Sequence, residues 1–424
     1  MSGEGAEPWR SVDWPGYVRT KRMREQRWVL DNIIREVGVD WDQGRTRYTA
    51  YPAGLDAQPD FAGVRRRVKT FADVHPAFAA AARRREALAV SADEDARAME
   101  AGEHYLVASI LWGNAEWPLF GESPLVQEYS RRKVECFAGF MRHAPHQIRR
   151  VDIPYGDTSL PGYLHLPKGA HAAPYPCVVH IGGMDAFKEH RVAIYGDKFL
   201  ERGIASLAVE IPGQGEALGA GLVVTRQSTV AAGEAIMSWV GKQPELDPAR
   251  IGIAGTSFGS FWATQIAATS QGFVGCAVTG VIHEPGMHTI FEEASPTFKA
   301  RFMFMAGFED EDAFDDFAAS LDLTESASSV SSPYLVLAGE QDELSPLVHT
   351  HRLIERIPTP VQLVVYQGER HSVGGGLAST LGPNRHHLVA GWFADRFEGI
   401  PCSDSYRLID TSGQVHEHTP FWRN

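Results

Sequence analysis

The pattern of apolar residues changes near Gln147, and this change constrains the fold more than any other feature of the chain. After it, short runs that are almost entirely apolar alternate with stretches whose apolar residues recur at helical spacing. Strands buried on both faces have such continuous runs, and their alternation with helices predicts a mostly parallel sheet with helices on both faces. The predicted strands are 176–181, 204–209, 250–254, 334–338 and 361–366. The predicted helices between them include 228–241 and 259–269.

Before this change the chain has a helical pattern. Apolar residues recur there every three or four positions, as Tyr105, Ala108, Leu111 and Trp112 do, and no strand stands out. We therefore predict a helical N-terminal cap region at 1–146, followed by a core at 147–424.

Two segments of the predicted core depart from the alternation. The segment at about 283–332 lies between two predicted strands and is rich in phenylalanine and methionine, which indicates an insertion over the sheet. These side chains either line a pocket or serve plain packing, and the sequence pattern is compatible with both. From about residue 403 onward, the chain is expected to form a peripheral C-terminal tail.

Charge and composition exclude several classes of partner. The formal net charge is -13, whereas binding to nucleic acid usually needs a concentrated basic face. No stretch approaches the roughly 18 apolar residues of a membrane span, and the first residues lack the basic and then apolar order of a signal peptide. The cysteines are scattered, which suits a reducing compartment. We expect a cytoplasmic protein that binds neither nucleic acid nor membranes.

The strongest chemical signal is the motif Gly255-Thr-Ser257-Phe-Gly259, which follows a predicted strand and precedes a predicted helix. In this context a G-x-S-x-G motif places the serine on a strained strand-to-helix turn, as in α/β-hydrolase folds. Glycine is needed at both flanking positions because side chains there would collide with neighbouring backbone. We therefore predict an α/β-hydrolase fold with Ser257 as the nucleophile.

A serine hydroxyl needs a base, and in this fold the acid and then the histidine follow the serine along the chain. Asp342 comes just after the predicted strand 334–338, at the carboxyl end where open α/β sheets build their sites. Glu340 and Glu343 are rival acids, but the neighbouring glycine and proline favour Asp342. His371 follows the next strand and is the predicted general base. The other histidines are interpreted as surface or tail residues, including those at 386, 387, 416 and 418.

Two backbone N–H groups must stabilise the oxyanion of the reaction. We expect one from Phe258 and one from the loop after strand 176–181, where we assign Met184. Asp185 then lies beside the site, either as a turn or capping residue or as a substrate contact. The glycine-rich turn at 210–216 lacks the lysine of a phosphate loop and is interpreted as a structural turn. Metal-ligand spacings such as C-x-x-C are missing from the sequence, so neither a metal nor another cofactor is expected.

With these residues in place, the chain resembles a branch of the α/β-hydrolase superfamily in which a helical region precedes the hydrolase core. The branch includes 2,6-dihydroxypseudooxynicotine hydrolases, the fungal heptaketide-shortening hydrolases of pigment pathways and the fermentation-respiration-switch-like proteins. The matching stretches are GGMDAFKE at 182–189, EIPGQGE at 210–216, GTSFGS at 255–260, GEQDELSP at 339–346 and GERH at 368–371. The resemblance extends more weakly into the helical region.

The resemblance implies hydrolysis of a carbon–carbon bond next to a ketone, or of an ester, in an aromatic or polyketide-like small molecule. It also implies that Asp185 contacts substrate, because members of the branch carry an acidic residue at the matching loop position, and that the protein is a homodimer. Two alternatives are an acyltransferase that excludes water and a catalytically silent binding protein. The complete Ser257, Asp342 and His371 set argues against the second alternative, since a binding protein need not keep all three.

Overall fold

One sheet of ten strands runs through the part of the chain that the computed structural model describes, residues 20–42, 44–168, 171–194 and 196–423. The strands are β1 (Gln147–Tyr155), β2 (Thr158–Leu166), β3 (Tyr175–Ile181), β4 (Ala205–Val209), β5 (Leu246–Ser257), β6 (Phe273–Val281), β7 (Tyr334–Gly339), β8 (Val361–Tyr366), β9 (Ser405–Ile409) and β10 (Val415–His418). Their order across the sheet is β1-β2-β4-β3-β5-β6-β7-β8-β9-β10.

Neighbouring strands from β4 to β9 across the sheet are parallel, and antiparallel pairing is confined to β1 with β2, β2 with β4, and β9 with β10 among the described strands. The predicted mostly parallel sheet is therefore confirmed. Because parallel strands end at the same edge, the loops that follow β3, β5, β7 and β8 lie side by side.

Successive side chains of the central strands pack on opposite faces of the sheet. Val178 belongs to the cluster that includes Trp392 and Phe393, whereas Val179 belongs to the cluster that includes Trp262. Each face is covered by helices, so both sets of side chains are removed from water, and this explains why the strands have continuous apolar runs.

Helices occur before the sheet and between its strands. Those before the sheet are α1 (Lys21–Val37), α2 (Arg45–Tyr48), α3 (Ala50–Ala53), α4 (Gln58–Arg67), α5 (Val74–Glu94), α6 (Ala98–Glu116) and α7 (Pro124–His143). Those that follow β4 are α8 (Gly215–Gly219), α9 (Ser228–Val240), α10 (Phe258–Thr269), α11 (Pro296–Ala306), α12 (Glu311–Ala319), α13 (Thr324–Ala327), α14 (Leu347–Ile354), α15 (Leu377–Leu381) and α16 (Arg385–Phe397). Among these helices, none combines the length and apolar character that crossing a membrane requires.

Helices α1–α7 form the N-terminal cap region and have a hydrophobic core of their own. Trp112 and Phe120 are fully buried in that core, which also includes Phe187 from the loop after β3. The hydroxyls of Thr20 and Ser123 cap α1 and α7 by accepting backbone N–H groups of the first turns. The predicted helical character is confirmed here; residues 1–19 of the predicted region lie outside the described residues.

The segment predicted as an insertion, 283–332, contributes α11, α12 and α13 between β6 and β7. Most of its phenylalanines pack on each other and on α10. The rings of Phe258 and Phe302 lie 4.5 Å apart, and those of Phe291 and Phe314 lie 5.2 Å apart. Plain packing therefore accounts for much of this aromatic content, while Arg301 and Phe304 border a cavity described below.

Three parts of the sheet do not have the apolar runs that identified the other strands. β1 and β2, which pair at one edge, were not predicted, because charged and polar side chains interrupt their apolar residues. β6 lies between β5 and β7 although glycine and threonine interrupt its apolar residues. From residue 405, the segment expected to be a tail supplies β9 and β10, which extend the sheet at its edge. Strands near a sheet edge are partly exposed and carry polar side chains, so they do not have the continuous apolar runs by which the central strands were predicted.

Candidate active site

Ser257 lies on the sharp turn between β5 and α10. Its backbone has a φ of 56°, a value that residues other than glycine rarely adopt. The flanking glycines are required by close contacts. A Cβ on Gly255 would lie 2.1 Å from the carbonyl oxygen of Gly259, and a Cβ on Gly259 would lie 2.2 Å from that of Ile181. The turn therefore presents the serine hydroxyl at the carboxyl edge of the sheet, as the motif predicts.

The hydroxyl of Ser257 contacts the imidazole of His371, with 2.9 Å between Oγ and Nε2. On the other side of the ring, Nδ1 of His371 lies 2.9 Å from Oδ2 of Asp342. The Asp342 carboxylate is fixed by the backbone N–H groups of Leu344 and Ser345, at 2.9 and 3.0 Å. The structure thus brings together the hydroxyl, imidazole and carboxylate that the sequence predicted as a triad.

The two rival carboxylates have other partners. Glu340 accepts the backbone N–H of Gly368 at 2.9 Å, and Glu343 accepts the backbone N–H of His371 at 3.0 Å. Glu343 therefore holds the main chain of the histidine, whereas Asp342 holds its ring.

The position of Asp342 also sets the basicity of His371. Burial by itself would lower the pKa of the imidazole, but the Asp342 charge and hydrogen bond raise the pKa above its ordinary value, with smaller contributions from Glu343 and Asp185. With Nδ1–H facing the carboxylate, Nε2 is left to accept a proton from the serine. The ring is therefore oriented for general-base chemistry.

The two segments predicted to form an oxyanion hole meet at Ser257. Phe258 is the first residue of α10, so its backbone N–H has no acceptor within that helix. The loop after β3 passes directly against the serine, since a Cβ on Gly183 would lie 2.8 Å from the Cβ of Ser257. Met184 follows Gly183 in this loop and is buried, as Phe258 is.

Gln214 fixes the loop that carries Met184, and the sequence did not single it out. Its side-chain amide donates hydrogen bonds to the carbonyl oxygens of Gly182 and Gly183, at 2.8 and 2.9 Å. Its own carbonyl oxygen accepts the N–H of Ile211 at 3.1 Å. The turn at 210–216 thus supports the loop beside Ser257. The feature of the sequence that could have indicated this role is the amide residue between the two glycines of the turn.

A buried lysine joins the same two segments. Lys188 Nζ lies 2.7 Å from Glu189 and 3.1 Å from Glu210, and it also contacts Glu216. Burial alone would lower the pKa of Lys188, but the three carboxylates raise it well above its usual value. The positive charge of this lysine holds the loop after β3 against the turn that contains Gln214.

Asp185 is bound by residues of the N-terminal cap region. Arg45 donates to its carboxylate at 3.1 Å and to its backbone carbonyl at 2.9 Å, and the hydroxyl of Tyr48 donates to the same carboxylate. Arg45 in turn donates to the side chain of Asn114 at 3.1 Å. Asp185 therefore links α2 and α6 to the loop beside the catalytic serine, a contact between distant segments that sequence reasoning missed.

The remaining histidines lie away from the triad. The prediction that they are surface or tail residues is wrong for His165, His180 and His283, which are buried. His386 stacks on Tyr51 of the cap region, with 4.1 Å between ring centroids, and exposed His416 pairs with Asp410 at 2.7 Å. Within the described residues, no group of three or more His, Cys, Asp or Glu side chains is arranged to hold a metal ion.

Comparison with protein families gives a match to the family described as "Esterase FrsA-like" over residues 83–308, more than half of the chain. Among curated proteins, the α/β hydrolase xenA of Xenoacremonium sinensis is 30% identical over 197 residues, which cover 44% of this chain and 46% of that protein. Esterase FrsA of Yersinia enterocolitica is 27% identical over 175 residues, covering 41% of each chain. Each alignment spans less than half the length of the curated relative.

Comparison with solved structures shows the same fold. The 2,6-dihydroxy-pseudo-oxynicotine hydrolase superposes with a TM-score of 0.70 and 22% identity, covering 83% of this chain and 95% of that one. AbyA5 superposes with a TM-score of 0.60 and 16% identity, covering 83% and 98%. Both matches extend beyond the sheet into the helical region, because each covers far more of this chain than residues 147–424 alone.

Proposed function

The chain belongs to the FrsA-like esterase family of α/β hydrolases, and we propose that it acts as a serine hydrolase in which Ser257 attacks a substrate carbonyl. The observation that carries the proposal is the continuous hydrogen-bonded chain from Ser257 Oγ through the ring of His371 to Asp342, with 2.9 Å at each step. In this chain His371 removes the serine proton, and Asp342 orients the ring and stabilises the imidazolium.

The later steps of the proposed reaction follow from the negative charge that develops on the substrate's carbonyl oxygen. Attack on the carbonyl places negative charge on its oxygen, which the N–H groups of Met184 and Phe258 stabilise. The tetrahedral adduct collapses to an acyl-enzyme as His371 returns the proton to the leaving group. Water, deprotonated by His371, hydrolyses the acyl-enzyme and regenerates the serine.

For the bond that is cleaved, we propose a carbon–carbon bond adjacent to a ketone in an aromatic or polyketide-like substrate. Such a leaving group departs as an enolate or phenolate and takes a proton from the imidazolium of His371. The name of the structural relative that hydrolyses 2,6-dihydroxy-pseudo-oxynicotine supports an aromatic substrate. Asp185, with the Tyr48 hydroxyl on its carboxylate, is proposed as a contact for the polar groups of that substrate.

Ester cleavage is the second candidate, because the matched family is described as esterases. The same serine, histidine and oxyanion donors serve both reactions, and an ester has the easier leaving group. Transfer of the acyl group to an alcohol or amine would use the same acyl-enzyme, and addition of such acceptors to the assay detects it by a new product.

The test is product analysis with a panel of 4-nitrophenyl esters and aryl β-diketones, using wild type, Ser257→Ala and the exposed control Ser329→Ala. Cleavage of the diketones by wild type and the control, with no turnover by Ser257→Ala, is the expected result. Ester cleavage without diketone cleavage would overturn the carbon–carbon proposal. Undiminished turnover by Ser257→Ala would overturn the serine mechanism itself.

A further inference from the structure

A cavity of about 380 Å³ lies between the N-terminal cap region and the core. Its walls come from α6 and α7, from α8 just after Gln214, and from α11 of the insertion. The residues that matter to its chemistry are Glu116, Arg131, Glu216, Arg301 and Phe304. Since none of the residues of the proposed triad or oxyanion hole lines this cavity, the catalytic steps do not explain its charged lining.

Arg301 is a buried cation without a counter-ion in this lining. Its side chain is on α11 and the residue is 8% exposed. Within the described residues, its Nε has no hydrogen-bond partner, and the guanidinium lies 5.6 Å from the ring centroid of Phe304. An uncompensated buried charge is costly, so a protein normally supplies a carboxylate to such a group.

The two carboxylates whose charge acts on Arg301, Glu116 and Asp185, are already paired with other cations. Asp185 is held by Arg45 at 3.1 Å, and Glu116 is held by Lys133 at 2.7 Å. Burial, opposed by Glu116 and reinforced by Arg45, lowers the pKa of Arg301 to about 10. The guanidinium therefore remains protonated at neutral pH and has no salt-bridge partner among the residues that the structure describes.

We propose that Arg301 binds a carboxylate group of the substrate. A guanidinium presents paired donors in a plane that matches a carboxylate, and a monoanion compensates its single charge. The location fits a substrate contact, because Gly215 lines the cavity and directly follows Gln214, whose side chain holds the loop beside Ser257. The glutamates of the cavity wall disfavour a dianion such as phosphate. The inference rests on the proposed hydrolase function and adds a substrate class to it: acids rather than neutral carbonyl compounds.

The experiment compares two isosteric esters, mono-4-nitrophenyl glutarate, which ends in a carboxylate, and 4-nitrophenyl 5-methylhexanoate, which ends in an isopropyl group. The ratio of kcat/KM for the two is measured in wild type, Arg301→Gln, Arg301→Lys and the exposed control Arg66→Gln. We expect wild type and control to prefer the glutarate and Arg301→Gln to lose roughly tenfold or more of that preference, the value of a charged hydrogen bond. Arg301→Lys keeps the positive charge and should therefore retain part of the preference for the glutarate ester.

A binding measurement separates this inference from the hydrolase proposal. Free glutaramate, the monoamide of glutaric acid and a monoanion, should raise the melting temperature of wild type and of Ser257→Ala, but not that of Arg301→Gln. If Ser257→Ala still cleaves both esters, the serine mechanism fails while the glutaramate shift continues to report on Arg301. An unchanged ester preference in Arg301→Gln, or stabilisation by glutaramate that persists in that variant, would overturn the carboxylate site. Absence of both effects in wild type would also overturn it.

Discussion

The side-chain amide of Gln214 lies 2.9 Å from the carbonyl oxygen of Gly183 and holds the peptide that Gly183 shares with Met184. In a planar trans peptide, the C=O and the following N–H point in opposite directions. By fixing the carbonyl on one side, Gln214 therefore fixes the direction of the Met184 N–H on the other. A residue outside the triad thus positions the group that we propose as an oxyanion donor.

Replacing Gln214 by methionine, which has a similar volume and no donor, should release this peptide. We expect kcat to fall roughly 10- to 100-fold, somewhat less than the loss of an oxyanion donor itself, with KM nearly unchanged. Steady-state kinetics on a 4-nitrophenyl ester measures both constants. The exposed residue Gln271 offers a matched control as Gln271→Met. A change in KM alone would contradict a positioning role in the transition state.

The contact between Asp342 and His371 predicts a particular pH dependence. The reaction needs neutral His371, so kcat/KM should fall as the pH drops through the pKa of that group, which lies above its ordinary value of 6.5. Asp342→Asn removes the charge that raises the pKa of His371 and leaves the burial that lowers this pKa. The acid limb should then move to lower pH while kcat falls on the order of 10⁴-fold. An acid limb that stays in place would show that another group controls it.

The pair formed by Arg45 and Asp185 should contribute to stability as well as to the site. Arg45 has 2% of its side chain exposed and Asp185 has 16%, so Arg45→Met leaves a largely buried carboxylate without its cation. We expect a loss of about 3 kcal/mol in the free energy of unfolding. Arg97, which is 48% exposed and paired with Asp95, is a control whose substitution by Met should cost well under 1 kcal/mol. Equal losses in denaturant titrations of the two variants would contradict this account.

The turn at Ser257 predicts opposite outcomes for two glycine substitutions. Gly255→Ala places a Cβ 2.1 Å from the carbonyl oxygen of Gly259, so the turn must distort and hydrolysis should be lost with a large drop in stability. Gly391 lies within α16 with open space around the position of a Cβ. Gly391→Ala should therefore stabilise the protein by about 0.5–1 kcal/mol and leave hydrolysis unchanged. Thermal unfolding and esterase assays on both variants check the pair.

The sequence predicted the central strands and the positions of Ser257, Asp342 and His371 because each of these signals is local. A buried strand followed by a special turn can be recognised within about ten residues. Strand β6 was missed because small residues interrupt it, and β1 and β9 because polar, partly exposed side chains interrupt their apolar residues.

The contacts around Asp185 could not be predicted in this way. Arg45 is 140 positions away in the chain, and the two residues meet because the cap region packs on the loop after β3. Gln214 and Arg301 likewise depend on where three separate segments come together. The roles proposed for the triad and for the oxyanion donors remain predictions, whereas their mutual positions are given by the fold.

The central claim is that Ser257 is a nucleophile activated by His371. Labelling with a fluorophosphonate, followed by peptide mass spectrometry, tests it most directly. We expect one adduct, located on Ser257, that forms in parallel with the loss of hydrolysis and whose formation is greatly slowed in His371→Ala. Complete loss of hydrolysis with the adduct on another residue, or continued hydrolysis by an enzyme fully labelled at Ser257, would contradict it.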